Sequence, residues 1–173
     1  MSSERLKKAA ERIALGSKIA YILIVVAIFL QTVSLVWLTI MPNKFIKFFD
    51  NVRIYEPFIT NIRNSALSLF ELSTGIVAFL FLFVILRNVE KIFLLLKEEL
   101  NLYKVGVNVK VLSLYFLAEA VSVPVLKMIS YSVFLKDSVP AGILDVSALV
   151  MAGVLWYIGQ ALQTKAVEKS PLR

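Results

Sequence analysis

The sequence predicts an all-α integral membrane protein, a four-helix bundle with an amphipathic N-terminal helix. Three observations carry this. Of 173 residues, 59% are hydrophobic and only 18% are charged, against roughly 45–50% apolar and about 25% charged in soluble domains. The excess falls in four blocks, each as long as the ~20 residues a helix needs to cross a bilayer. The cations crowd to one side of those blocks. The expected unit is one membrane domain over residues 1–173.

Composition also excludes classes of function. There is no cysteine and no histidine, so disulfides, thiol redox chemistry, bis-histidine haem and nearly all zinc or copper sites drop out. No cofactor or metal is expected. The net charge of +7 fits lipid headgroups and membrane orientation better than direct nucleic-acid binding.

Residues 4–16 read as an amphipathic helix on the membrane surface. Leu6, Ala10 and Ile13 line one side, with Arg5, Lys8 and Arg12 on the others. Such a helix captures anionic lipid or a partner, or simply anchors the first span. That span covers 19–41, free of charge between Lys18 and Lys44, with Pro42 at its exit. It is too long for a signal-peptide core of about 7–15 residues, and no A-x-A cleavage site follows. The next loop interleaves Phe45, Phe48, Phe49, Tyr55 and Phe58 with Lys44, Lys47 and Arg53. It reads either as a docking surface for an external ligand or as a segment lying in the headgroup layer.

The second span covers 64–86, between Arg63 and Arg87, and is broken only by Glu71. A helical hairpin over 87–110 follows. Val89, Ile92, Phe93 and Leu96 recur at helical spacing among charges of both signs, so the second helix continues to about Glu99. Asn101 is placed to cap the next helix. Ile92, Phe93 and Leu96 form a candidate partner-docking stripe, and a solvated connection explains the segment equally well. The third span covers 111–135 and carries Glu119, Pro124 and Lys127. The fourth covers 141–163, with Asp145 near its start. The N-terminal, 87–110 and C-terminal segments hold 13 cations and the other side six, which puts both termini in the cytoplasm.

Ionisable groups within spans are costly, and by default they are functional candidates. Here they form an intramembrane polar set: Glu71, Glu119, Lys127 and Asp145. In the second span Asn64, Ser68, Glu71, Gly75 and Ala78 share a face, and in the fourth so do Ala141, Asp145, Ala148, Ala152 and Gly159. Small residues let helices approach closely, so both stripes should face the bundle. Glu71, Lys127 and Asp145 are expected in one external-side pocket, with Glu119 nearer the middle. Pro124 should leave the Ala120 carbonyl without its helical donor. The set reads as an ion or proton path, as a polar-ligand pocket, or as salt bridges that pin helix register. No G-x-S-x-G, H-E-x-x-H or phosphate-cradling glycine loop is present, so a non-enzymatic protein is expected.

At the segment LRNVEKIFLLLKEELNLYKVGVNVKVLSLYFL the chain resembles a bacterial family of four-span membrane proteins called domain of unknown function 2975. Members are of similar length, with a long second helix extended into the cytoplasm, a short turn into the third span, and a polar tail resembling ALQTKAVEKS. Their turn carries Phe followed by Ser or Thr, where this chain has Leu100 and Asn101. The resemblance implies a bacterial inner-membrane protein working with a small DNA-binding regulator, and it brings no catalytic residues.

Three functional readings follow. The first is a non-enzymatic accessory or regulatory subunit acting through helix–helix contacts, in a protein complex or homo-oligomer surrounded by membrane lipid. The second is an immunity protein against a membrane-active toxin, which the external aromatic loop would suit. The third is a small transporter or ion-conducting protein, which must be a dimer because four helices enclose little pore.

Overall fold

A computed structural model describes residues 3–52, 65–98, 101–134 and 145–168. The described residues form five helices: α1 (Ser3–Ile40), α2 (Pro42–Val52), α3 (Ser65–Glu98), α4 (Leu102–Phe134) and α5 (Val146–Glu168). Four of them, α1, α3, α4 and α5, are long and apolar enough to cross a membrane. The all-helical bundle expected from the sequence is therefore present. The remaining helix, α2, is an addition to it.

Local chemistry sets the boundaries. Met41 interrupts α1, and its carbonyl accepts from the amides of Lys44 and Phe45 at 3.2 and 3.0 Å. Pro42 then opens α2 at the position where a missing N–H costs nothing. Asn101 caps α4 as expected, its Oδ1 accepting the Lys104 amide at 3.1 Å. Asp145 caps α5, its Oδ1 accepting from the Ala148 amide at 3.1 Å and the Ser147 hydroxyl at 2.5 Å. Along the spans Thr32, Thr39, Ser73 and Thr74 donate to carbonyls one turn back at 2.8–2.9 Å. Those bonds satisfy hydroxyls that hydrocarbon could not.

The N-terminal segment differs from its expected placement. Residues 4–16 are the first turns of α1 and run straight into the span rather than lying apart from it. Ala10, Ala14 and Ser17 are its buried residues, while Ile13 is exposed. Lys97 of α3 bonds Glu11 at 3.0 Å, tying the ends of α1 and α3 together. The reason is helical continuity: no proline or cap interrupts the run from Ser3 to Ile40.

Two apolar cores hold the bundle. Leu38, Phe45 and Leu72 join α1, α2 and α3, with Trp37 against Phe45 and Phe48. Ile85, Ile92, Val105, Val109 and Leu112 join α3 to α4, and Leu155 and Leu162 of α5 pack against that cluster. Extensive packing therefore runs α1 on α3, α3 on α4, and α4 on α5. On α3 the α1-facing residues Leu72, Gly75, Phe83 and Lys97 lie about 120° round from Ile85 and Ile92, at 100° per residue. On α4 the α5-facing residues Gly106, Lys110 and Ala120 lie about 90° round from Val105, Val109 and Leu112. Because α3 and α4 are antiparallel, both turns close in the same sense. α1 and α5 thus stand on one side of the α3–α4 pair, their axes roughly 15 Å apart at ordinary helix spacings. Helical position thus leaves a lateral gap, or cleft, between α1 and α5, which do not pack extensively on each other among the described residues.

Glycines set the closest crossing. A Cβ on Gly106 would lie 2.7 Å from the Gly159 carbonyl oxygen, and one on Gly159 would lie 2.8 Å from that of Gly106. Backbones that close exclude any side chain at either position. Lys110 lies over the ring of Trp156 beside this crossing, 5.1 Å from its centre, and donates to Gln160.

Candidate functional site

The fold distributes the four intramembrane charges between two places. The first is the start of α5. The backbone amide of Asp145 donates to the Ala120 carbonyl at 3.3 Å, which brings Asp145 beside Glu119. The two carboxylates are near enough for their charges to interact, and Lys127 is near enough to act on Asp145. Asp145, expected a turn or two below the external end of the fourth span, stands at the head of α5. Ala120 is 14 residues short of Phe134, so α5 begins about 21 Å back along α4. At that level the carbonyl that Pro124 leaves free accepts the Asp145 amide. Asp145 therefore shares its depth with Glu119 and not with the outer end of α4. Residues 64, 135 and 141–144 of the expected spans lie outside the described residues.

The second place is the floor of the cleft. The turn joining α3 to α4 puts residue 73 of α3 about level with Lys127, two residues from Glu71. Helical position aims Glu71 and Lys127 toward the trough between α1 and α5. The expected pocket shared by Glu71, Lys127 and Asp145 is thus divided, with Lys127 between the two halves.

Gln31 of α1 joins this floor. Its side chain packs on Gly75, one turn from Glu71, where a Cβ on Gly75 would come 2.7 Å from Gln31 Nε2. Gln31 Oε1 is buried with no hydrogen-bond partner among the described residues. Sequence reading passes over this residue. The available signal is a lone amide in an otherwise apolar span, opposite a glycine already placed on an inward stripe.

The stripe at the α3–α4 turn is used internally. Ile92 is buried and Leu96 packs beside it against α4, while Phe93 is half-buried and outside that cluster. Phe45, expected in an external docking surface or the headgroup layer, is wholly enclosed by α1 and α3. Phe48 is about half exposed beside Trp37. Arg53, Tyr55, Phe58 and Arg63 lie outside the described residues. Among the described residues no group of three metal-ligating side chains occurs. No known protein family, curated protein or solved structure matches the chain.

Proposed function

We propose that this multi-pass membrane protein is a non-enzymatic accessory or regulatory subunit that receives a membrane helix of its partner between α1 and α5. The observation that carries this reading is that α1 and α5 pack on α3 and α4 and not extensively on each other. Helical position sets the two roughly 15 Å apart, wider than the 8–10 Å of packed helices, and turns Glu71, Lys127 and Gln31 toward the gap, where Gln31 Oε1 has no hydrogen-bond partner among the described residues. An amide oxygen without a donor in hydrocarbon is costly, and because Gln31 Oε1 is buried against Gly75, a polar group on an incoming helix would relieve it by drawing the side chain outward. The end of the bundle bearing Ser3, Glu98, Leu102 and Glu168 faces the cytoplasm of a bacterial inner membrane, in keeping with its share of the cations.

The test is site-specific photocrosslinking in native membranes. A photoreactive residue at Met151, on the side of α5 toward α1, is expected to yield a discrete protein adduct. One at Val150, on the side of α5 away from α4, is expected to label lipid. Gln31→Leu should leave the fold intact and weaken the Met151 adduct. Equal labelling from both positions would overturn the reading. A requirement for an added toxin would shift it to the immunity protein. An adduct with a second copy of this chain would shift it to the dimeric transporter.

A further inference from the structure

We propose that Lys110, Trp156 and Gln160 hold the phosphate of an anionic phospholipid, on the side of the α4–α5 seam away from α1. Lys110 lies over the Trp156 ring, 5.1 Å from its centre, and donates to Gln160. An ammonium carries three donors and a glutamine amide two. Among the described residues no carboxylate pairs with Lys110. Donors therefore remain on both side chains, and the cation is fixed in place without being neutralised. The close backbone crossing of Gly106 and Gly159 lies beside it and holds the donors of the two helices at a set separation.

Helical position sets the direction. On α4, Lys110 and Leu114 lie about 40° and 80° round from Gly106, whereas Val105 and Val109, which face α3, lie the other way. On α5, Trp156 and Gln160 lie about 60° and 100° round from Gly159, again opposite to Leu155 and Leu162, which pack toward α3. The site therefore opens outward and not into the gap between α1 and α5.

The surroundings match the two halves of a lipid. Leu114, Leu117 and Val121 continue from Lys110 at 3–4 spacing and are 41–51% exposed, an apolar track that begins at a cation. From Lys110 to Val121 it rises ~16 Å, about one leaflet of a ~30 Å hydrocarbon layer. It ends beside the head of α5, where Asp145 is engaged by Ser147 and Ala148. The track also starts where charges start. Glu11 meets Lys97, Tyr21 meets Phe83, and Ile85 and Ile92 share a cluster with Val105, Val109 and Leu112. That register sets Lys18 of α1, Arg87 of α3 and Lys110 of α4 about level, and each is the charge next to its own apolar stretch. A cation at that level, held against an indole, is the chemistry that recognises a lipid headgroup between helices. One molecule then supplies both an anion for Lys110 and a chain for Leu114 and Leu117.

The site lies on the side of α5 away from the gap, and either can fail without the other. The full chain in detergent, titrated with phosphatidylglycerol and read by native mass spectrometry, is expected to bind a first lipid more tightly than later ones. Lys110→Gln should weaken that first step about tenfold, the effect of losing a hydrogen bond to a charged group. Trp156→Leu, at a half-exposed position, should weaken it about threefold. Lys110→Arg keeps the charge and the stacking and should bind as the unaltered chain does, which separates loss of the site from loss of the fold. Lys18→Gln removes an exposed cation from the same level and should change binding by no more than about twofold. Equal losses from Lys18→Gln and Lys110→Gln would reduce the site to bulk charge and overturn the proposal. So would equal binding of phosphatidylcholine, whose headgroup is neutral overall, since the lipid would then be ordinary bilayer. Displacement by inorganic phosphate or glycerophosphoglycerol, which lack the chains, would make the ligand a free anion, and a dimer that excludes the lipid would make the occupant a second copy. Either result would overturn it too.

Discussion

The amide of Asp145 donates to the carbonyl of Ala120 at 3.3 Å, and that carbonyl is the one Pro124 leaves without its helical donor. One imino acid thereby sets where a different helix begins. In α4 the ring of Pro124 removes the bond that residue 124 would make to residue 120. In hydrocarbon an unpaired carbonyl must find another donor, and the first amide at the head of α5 supplies it. Asp145 then caps α5 through Ala148 and Ser147.

The substitution Pro124→Ala should separate these roles. An alanine there brings an N–H that competes for the Ala120 carbonyl, so α4 gains a bond and α5 loses its anchor. The expected outcome is slower amide exchange around residues 120–124 and faster exchange at residues 145–148, read by mass spectrometry in nanodiscs. Asp145→Asn, which retains an acceptor at the cap, should change the same amides less. Unaltered exchange at the head of α5 in the Pro124 variant would mean that the Ala120 bond does not position it.

The Gly106–Gly159 crossing makes a sharper demand. Each position faces backbone atoms at 2.7–2.8 Å from an added Cβ, and backbone cannot swing aside as a side-chain end can. Gly106→Ala or Gly159→Ala should cost about 1–3 kcal/mol through forced separation of α4 and α5. Gly153 has nothing within 4 Å of an added Cβ, so Gly153→Ala should be neutral or stabilise α5 by up to about 1 kcal/mol. Thermal unfolding in detergent distinguishes them. Gly75→Ala falls between, because it meets the movable end of Gln31.

Much of this is legible in the residues because it depends on near neighbours. The N-cap at Asn101 needs only residue 104, the freed carbonyl at Ala120 needs only Pro124, and the extension of α3 to Glu98 follows from the spacing of Val89, Ile92 and Leu96. What is not legible depends on distant partners. The depth of Asp145 is decided by which donor reaches Ala120, a fact about two helices rather than one. α2 reads as a loop because Pro42 looks like an exit, although Phe45, Phe48, Phe49 and Val52 keep the spacing of an amphipathic helix. Gln31 is invisible to a search for charges. Its weight comes from facing Gly75 across the α1–α3 seam, and a strained or unpaired group of this kind is often where a local reading fails.

The last prediction concerns Lys127, which stands between the two halves of the polar set. Asp145 is exposed and already bonded by Ser147 and Ala148, so its attraction to Lys127 is one contact among several. Glu71 is partly buried, about level with Lys127, and aimed at the same cleft floor. Lys127 should therefore couple more strongly to Glu71 than to Asp145. Two thermal-stability cycles test this, Lys127→Met with Glu71→Gln and Lys127→Met with Asp145→Asn. In the first, removing Lys127 alone withdraws a cation from a partly buried acid, and neutralising the acid as well should restore about 1 kcal/mol or more. In the second, the two changes should be closer to additive, because the Asn variant keeps an acceptor at the cap. The reverse order would tie Lys127 to the head of α5 and take it out of the cleft floor. Additivity in both cycles would leave the floor to Gln31 and Glu71, and the cleft would then have to recognise its partner without a lysine.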